Sequence, residues 1–89
     1  MSNSVQFLLA SDQVKKLRTQ PNNDELSILY GWYKQATVGD INVPKPGFFD
    51  LKGSAKWEAW NKVKGASVYD SEINYIMIVN SLIKKYGVN

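Results

Sequence analysis

Apolar residues recur along this chain at spacings of three and four, which is the period of an amphipathic helix. The first such stripe is Phe7, Ala10, Val14 and Leu17. Ser4 precedes it and is a suitable N-cap. The helix should stop before Pro21, because a residue preceding proline resists helical geometry. A second stripe, Leu26, Leu29, Tyr30, Tyr33 and Ala36 or Thr37, follows a start at Asn22 or Asn23. Asp24 and Glu25 fall in its first turn, where carboxylates meet the positive end of the helix dipole. Gly31 lies inside this stripe at a cost of about 1 kcal/mol relative to alanine. Gly39 is a stop signal.

From Gly39 to about Lys52 the helical period is lost, and Pro44, Pro46 and Gly47 break any regular element. A loop of this length in so small a domain is usually functional or disordered. Ile41, Phe48, Phe49 and Leu51 are apolar enough to pack, which argues for order. The third helix is expected from Gly53 or Ser54 to Lys64, with Trp57, Trp60 and Val63 on one face and Gly65 closing it. Ser67 caps a fourth, with Asp70 in its first turn. Its main stripe reads Ile73, Ile76, Met77, Asn80 and Ile83, widened by Val79, Leu82 and Tyr86, and Gly87 ends it. No strand alternation or internal repeat is present. The pattern predicts an all-α four-helix bundle, a single domain over residues 1–89, with a long loop between helices 2 and 3.

Composition narrows the chemistry more than the fold. With 0 histidines and 0 cysteines, Ser-His, Cys-His and thiolate catalysis are excluded, as are most structural zinc sites. No carboxylate pair stands out at helical spacing, so a binding protein is expected rather than an enzyme. A secreted domain of this size would usually carry disulfides. The longest apolar run, Tyr75 to Val79, is far short of the roughly 20 residues of a membrane span. Phe7 to Ala10 lacks the basic start of a secretory signal. A cytoplasmic protein without stable membrane insertion is the expectation.

The formal net charge of +3 is unevenly spread. Lys15, Lys16 and Arg18 balance Asp12, Asp24 and Glu25, and Lys84 and Lys85 balance Asp70 and Glu72. The excess lies between residues 34 and 64, where Lys34, Lys45, Lys52, Lys56, Lys62 and Lys64 outnumber Asp40, Asp50 and Glu58. Such a cluster suits an anionic ligand, although on charge alone a solvated lysine-rich surface is the favoured reading. Tyr30, Tyr33 and Lys34 share a helix face at i, i+3 and i+4, and Lys52 and Lys56 repeat the i, i+4 spacing. Tyrosines could stack on a base and lysines could hold phosphate as point charges. Tyrosines at helical spacing are more often core residues, and both tryptophans of the third helix read more readily as core ridges. Spacing alone leaves a nucleotide site the less common reading. A basic helical module for nucleic acid or protein stays open beside it, although the lysines alternate with aromatics and prolines and form no continuous basic helix.

The run Tyr30-Gly31-Trp32-Tyr33-Lys34-Gln35-Ala36-Thr37-Val38-Gly39-Asp40 resembles the Tyr-x-x-Tyr-Lys-Gln-Ala-Thr-x-Gly-Asp motif of the acyl-CoA-binding protein family, also called the diazepam-binding-inhibitor family. Pro46-Gly47, the segment Lys56-Trp57-Glu58-Ala59-Trp60 and the final Lys84-Lys85-Tyr86-Gly87 resemble it too, so the likeness covers nearly the whole chain. The resemblance implies up-down-down-up topology and binding of one medium- or long-chain acyl-CoA by a monomer, with no cofactor, metal or reaction. It implies that Tyr30, Tyr33, Lys34 and Lys56 hold the adenine and 3′-phosphate, that Lys15 and Lys52 line the headgroup region, and that Tyr75 completes the site. Gly31 and Trp32 would add backbone or edge contacts. Ser27 stands where the family often has an apolar residue, and Trp32 where it has a smaller or polar one. Both departures bear on chain-length preference rather than on ligand class. The family also includes secreted signalling-peptide precursors, which is a further alternative by resemblance.

Overall fold

Four side chains set the helix starts. In the computed structural model, which describes residues 3–89, the helices are α1 (Val5–Gln13), α2 (Asn23–Thr37), α3 (Leu51–Lys62) and α4 (Val68–Tyr86). Ser4, Asn22, Asp50 and Ser67 each accept a backbone N–H three residues on. Such a cap contributes about 1 kcal/mol. At α2 the cap is reciprocal, because the Asn22 N–H donates to the Glu25 carboxylate. The third helix begins earlier than Gly53, since Asp50 offers an acceptor that glycine lacks. The first helix changes character before Pro21: a 3₁₀ turn covers Val14–Lys16, and Leu17 then turns extended and bridges to Val88. Arg18 N–H donates to the Gly87 carbonyl at 2.9 Å and Asn89 N–H to the Lys16 carbonyl at 3.0 Å. These long-range bonds replace the helical ones that α1 gives up.

Ordered pairs of residues give the helix directions. Between α2 and α3, Tyr30 meets Lys56, Gly31 meets Ala59 and Lys34 meets Trp60, so the two run parallel. Between α2 and α4, Glu25 meets Lys85 while Tyr33 meets Tyr75, so these are antiparallel. Ser4 meets Glu72, Phe7 meets Tyr75 and Leu17 meets Val88, which makes α1 parallel to α4. The topology is up-down-down-up.

The core joins α1, α2 and α4 through Phe7, Ala10, Leu29, Ala36, Tyr75, Val79 and Leu82. On α4 this differs from the expected stripe. Glu72, Tyr75, Val79 and Leu82 are buried, whereas Met77 is 61% exposed and Ile73 and Asn80 also face outward. The polar Asp70, Asn74, Ser81, Lys84 and Lys85 gather on one side of α4 and the buried Tyr75, Val79 and Leu82 lie opposite. The buried face therefore centres on Val79, and the expected stripe through Ile73 and Asn80 is rotated about a quarter turn from it. Contact with Phe7 and Tyr33 orients Tyr75 inward. Glu72 is tolerated inside because Asn3 and the Ser4 N–H donate to its Oε2. Burial pushes its pKa up, but these bonds outweigh that and leave it lowered.

Helix α3 lies outside this core and attaches to α2. A Cβ on Gly31 would come within 2.5 Å of the Ala59 carbonyl oxygen, so only glycine allows this approach. The two tryptophans of α3 hold the 38–50 loop: Trp60 Nε1 donates to the Gly39 carbonyl and Trp57 Nε1 to that of Val43, both at 2.8 Å. Lys45 pairs with Glu58 at 2.9 Å. Gln35 Nε2 and the Gly65 N–H converge on Asp40 Oδ1 at 2.8 and 2.7 Å. These bonds hold the Asp40 carboxyl below its usual pKa, the Gln35 bond most. The loop is thus ordered by polar anchors. Its aromatics do not pack as expected: Phe48 and Phe49 are 86% and 91% exposed and touch each other edge-on, and Leu51 is also exposed. Only Ile41 of that set is half-buried. No helix among the described residues is long and apolar enough to cross a membrane.

Candidate ligand-binding groove

Because α3 meets α2 at one crossing and leaves α1 free, a groove of about 790 Å³ opens between them. Its inner surface is apolar, with Val14 from the 3₁₀ turn, Leu26 and Leu29 from α2, Ala55 from α3 and Tyr75 from α4. Lys15, Lys52 and Lys56 line it from two sides. None of the three makes an ion pair among the described residues, so no carboxylate neutralises them at the edge of the groove. An apolar trough edged by unpaired cations suits an amphiphile with an anionic head.

The tyrosines are positioned by the core beneath them. Tyr33 stacks on Phe7, with centroids 5.7 Å apart and planes at 24°, and leans on Tyr75 at 5.8 Å. Its outer side is open, leaving the residue 40% exposed. Tyr30 lies one turn earlier and carries the Lys56 Nζ at 5.2 Å from its ring centroid. Tyr75 is buried, and burial, then the adjacent Tyr33, pushes its hydroxyl pKa up to about 12. Its hydroxyl is protonated at neutral pH, as an unshifted tyrosine's would also be, and can donate a hydrogen bond.

Six sequence-predicted residues converge on the groove: Lys15, Tyr30, Tyr33, Lys52, Lys56 and Tyr75. Three do not line it. Lys34 turns its ammonium over the Trp60 ring, 4.9 Å from the centroid. Gly31 is buried against the Ala59 backbone. Trp32 lines a second groove between α2 and α3. The helix face shared by Tyr30, Tyr33 and Lys34 is therefore divided: both tyrosines border the groove, and Lys34 leans toward α3. Of the apolar wall, Leu26 and Leu29 were visible as part of the α2 stripe, whereas Ala55 carried no sequence signal. Gln35 and Asp40, both within the motif, serve the fold by joining the end of α2 to the α3–α4 turn.

A four-helix all-α fold with a lysine-edged apolar groove beside paired tyrosines defines a small binding module. A family model described as "Acyl CoA binding protein" matches residues 4–79, and the chain belongs to that family. Among solved structures it is similar to acyl-CoA-binding protein 2 of Oryza sativa, with 38% identity, a TM-score of 0.86, and 90% of this chain and 87% of that one covered. It is also similar to the acyl coenzyme A binding protein of yeast, at 49% identity and a TM-score of 0.75, covering 94% and 98% of the two chains. The protein of the same name from Moniliophthora perniciosa gives 34% identity and a TM-score of 0.82 over 94% and 85%.

Proposed function

We propose that this protein binds medium- and long-chain acyl-CoA thioesters one at a time, and buffers and transports them without chemical change. The observation that carries the reading is the convergence of Tyr30, Tyr33, Tyr75, Lys15, Lys52 and Lys56 from four parts of the chain onto one apolar groove. An adenine ring finds a stacking surface on Tyr30 or Tyr33, worth about 1–3 kcal/mol per base. The ribose and pyrophosphate phosphates meet the lysines through charge-assisted contacts of about 1.5–3 kcal/mol each. Lys34 reaches the same head by swinging off Trp60, giving up a half-buried lysine–aromatic contact worth about 1–2 kcal/mol for a charge-assisted phosphate contact of about 1.5–3 kcal/mol. The acyl chain lies along Leu26, Leu29 and Val14.

The carrier acts as a monomer in the cytoplasm, with acyl-CoA rather than nucleic acid or a membrane as its partner. The lysines surround a concave apolar site instead of forming the continuous strip that a phosphate backbone needs. Calorimetric titration with palmitoyl-CoA, free CoA and palmitate tests the reading. Each buried methylene contributes about 0.8 kcal/mol, so palmitoyl-CoA is expected to bind far more tightly than CoA. Palmitate, which lacks the nucleotide, is expected to bind weakly. Palmitate equal to palmitoyl-CoA would make the protein a fatty-acid binder, and no palmitoyl-CoA binding would end the proposal.

A further inference from the structure

The two parallel helices that flank the groove touch backbone to backbone at Gly31 and Ala59. One turn earlier on each helix stand Ser27 and Ala55, the next layer of the same parallel pairing. Their side chains are small, and both line the groove described above. Both also line the second groove, of about 490 Å³, together with Ile28, Trp32, Ala59 and Val63. The two cavities therefore share a wall made of a serine and an alanine. Beyond it, Ile28 is 49% exposed, as an apolar residue facing unfilled space would be. The charges differ as well. Lys15, Lys52 and Lys56 edge the first groove, whereas Asp24 and Glu58, with Lys62, edge the second. The first groove offers an anionic head three lysines without ion-pair partners, the second only Lys62 beside Asp24 and a Glu58 already paired with Lys45, while an uncharged hydrocarbon tail suits both.

We infer that the gap between Ser27 and Ala55 is a passage through which the distal end of a long acyl chain enters the second groove. These two residues then set the longest chain that gains affinity, and Trp32 contacts the chain end rather than the nucleotide. The inference rests on the acyl-CoA reading. It also gives physical content to Ser27: a bulky apolar side chain there would fill the passage, and serine leaves it open.

The test uses the full chain with saturated acyl-CoAs from lauroyl to arachidoyl, in the wild type and in Ala55→Leu and Ser27→Leu. Complete burial of a methylene changes affinity by about fourfold. The wild type should keep gaining affinity beyond the length that fills the first groove. In the variants, the stearoyl-to-lauroyl affinity ratio should fall at least tenfold, and an unchanged ratio in folded variants overturns the passage. A second measurement needs no variant. Stearoyl-CoA with a nitroxide at its last carbon should broaden the methyl resonances of Ile28 and Val63. Broadening at Leu51, with Ile28 and Val63 sharp, would place the tail at the loop edge and overturn the passage while leaving the carrier function standing. Failure to bind any acyl-CoA would instead refute the carrier function itself.

Discussion

Lys56 sits between two roles at the residue scale. Its ammonium lies over Tyr30 and also edges the groove without a carboxylate partner. Replacing it with alanine removes a cation from the headgroup side but no core contact. Lys56→Ala should weaken palmitoyl-CoA binding by about 1.5–3 kcal/mol, the worth of a charge-assisted contact, with unfolding stability nearly unchanged. Calorimetry on the variant alongside a denaturant titration separates the two. An unaltered affinity would remove Lys56 from the site. Legibility at this scale is uneven. The common face of Tyr30 and Tyr33 is visible from spacing. The convergence of Lys15, Lys52 and Tyr75 is tertiary, and only the family resemblance brought them together in advance. Trp32 shows the limit of motif reading, because adjacency in sequence places a helical side chain about 100° away from its neighbour and here faces it toward the other groove.

Among the elements, the α2–α3 crossing governs the site. The helix formed by residues 23–37 would gain about 1 kcal/mol of propensity from Gly31→Ala. Tertiary structure reverses that sign. The added Cβ would lie 2.5 Å from a backbone carbonyl oxygen that no rotamer change can move aside. Net destabilisation of about 1–3 kcal/mol is expected, the usual range for overpacking, together with weaker ligand binding as the helices separate. A more stable Gly31→Ala protein in urea unfolding would contradict the crossing. The elements themselves are legible from periodicity, caps and glycine stops. What the expected stripe misses is orientation. On helix α4 the buried face centres on Val79, opposite Asp70, Asn74, Ser81 and Lys84, and a stripe centred on Ile73 and Asn80 is turned away from it and from the contacts Tyr75 makes with Phe7 and Tyr33. The loop is misread for a related reason. Phe48 and Phe49 look like packing residues, yet the anchoring is done by indole N–H groups and charged side chains, whose partners are backbone carbonyls invisible in sequence.

For the whole molecule, a polar tie joins the start of α2 to the end of α4. Glu25 accepts from the Tyr86 hydroxyl at 2.6 Å, from Lys85 at 2.9 Å and from the Asn22 N–H at 2.9 Å. These partners, Tyr86 foremost, lower its pKa from 4.5 to about 2, while Lys85 is raised in return. Folded Glu25 therefore holds its proton less tightly than unfolded Glu25. The stability this contributes is present above about pH 4.5 and is lost as pH falls toward 2. Glu25→Gln should flatten the acid limb of the stability curve across that window, as read by denaturant midpoints at stepped pH. An acid limb identical to the wild type would mean the tie is not maintained in solution.

The closure of the first segment on the last has a consequence for biosynthesis. Asn3 and Ser4 meet Glu72, and Leu17 pairs with Val88. A nascent chain that has reached Gly65 has produced three helices but none of Tyr75, Val79 or Leu82, which close the core. Helix α1 thus waits for α4, and the core cannot close until Tyr75, Val79 and Leu82 have been made. Chains stalled on the ribosome before Tyr75 has emerged should remain as protease-sensitive as an unfolded control. Protection at that length would show that α1 to α3 fold without their partner.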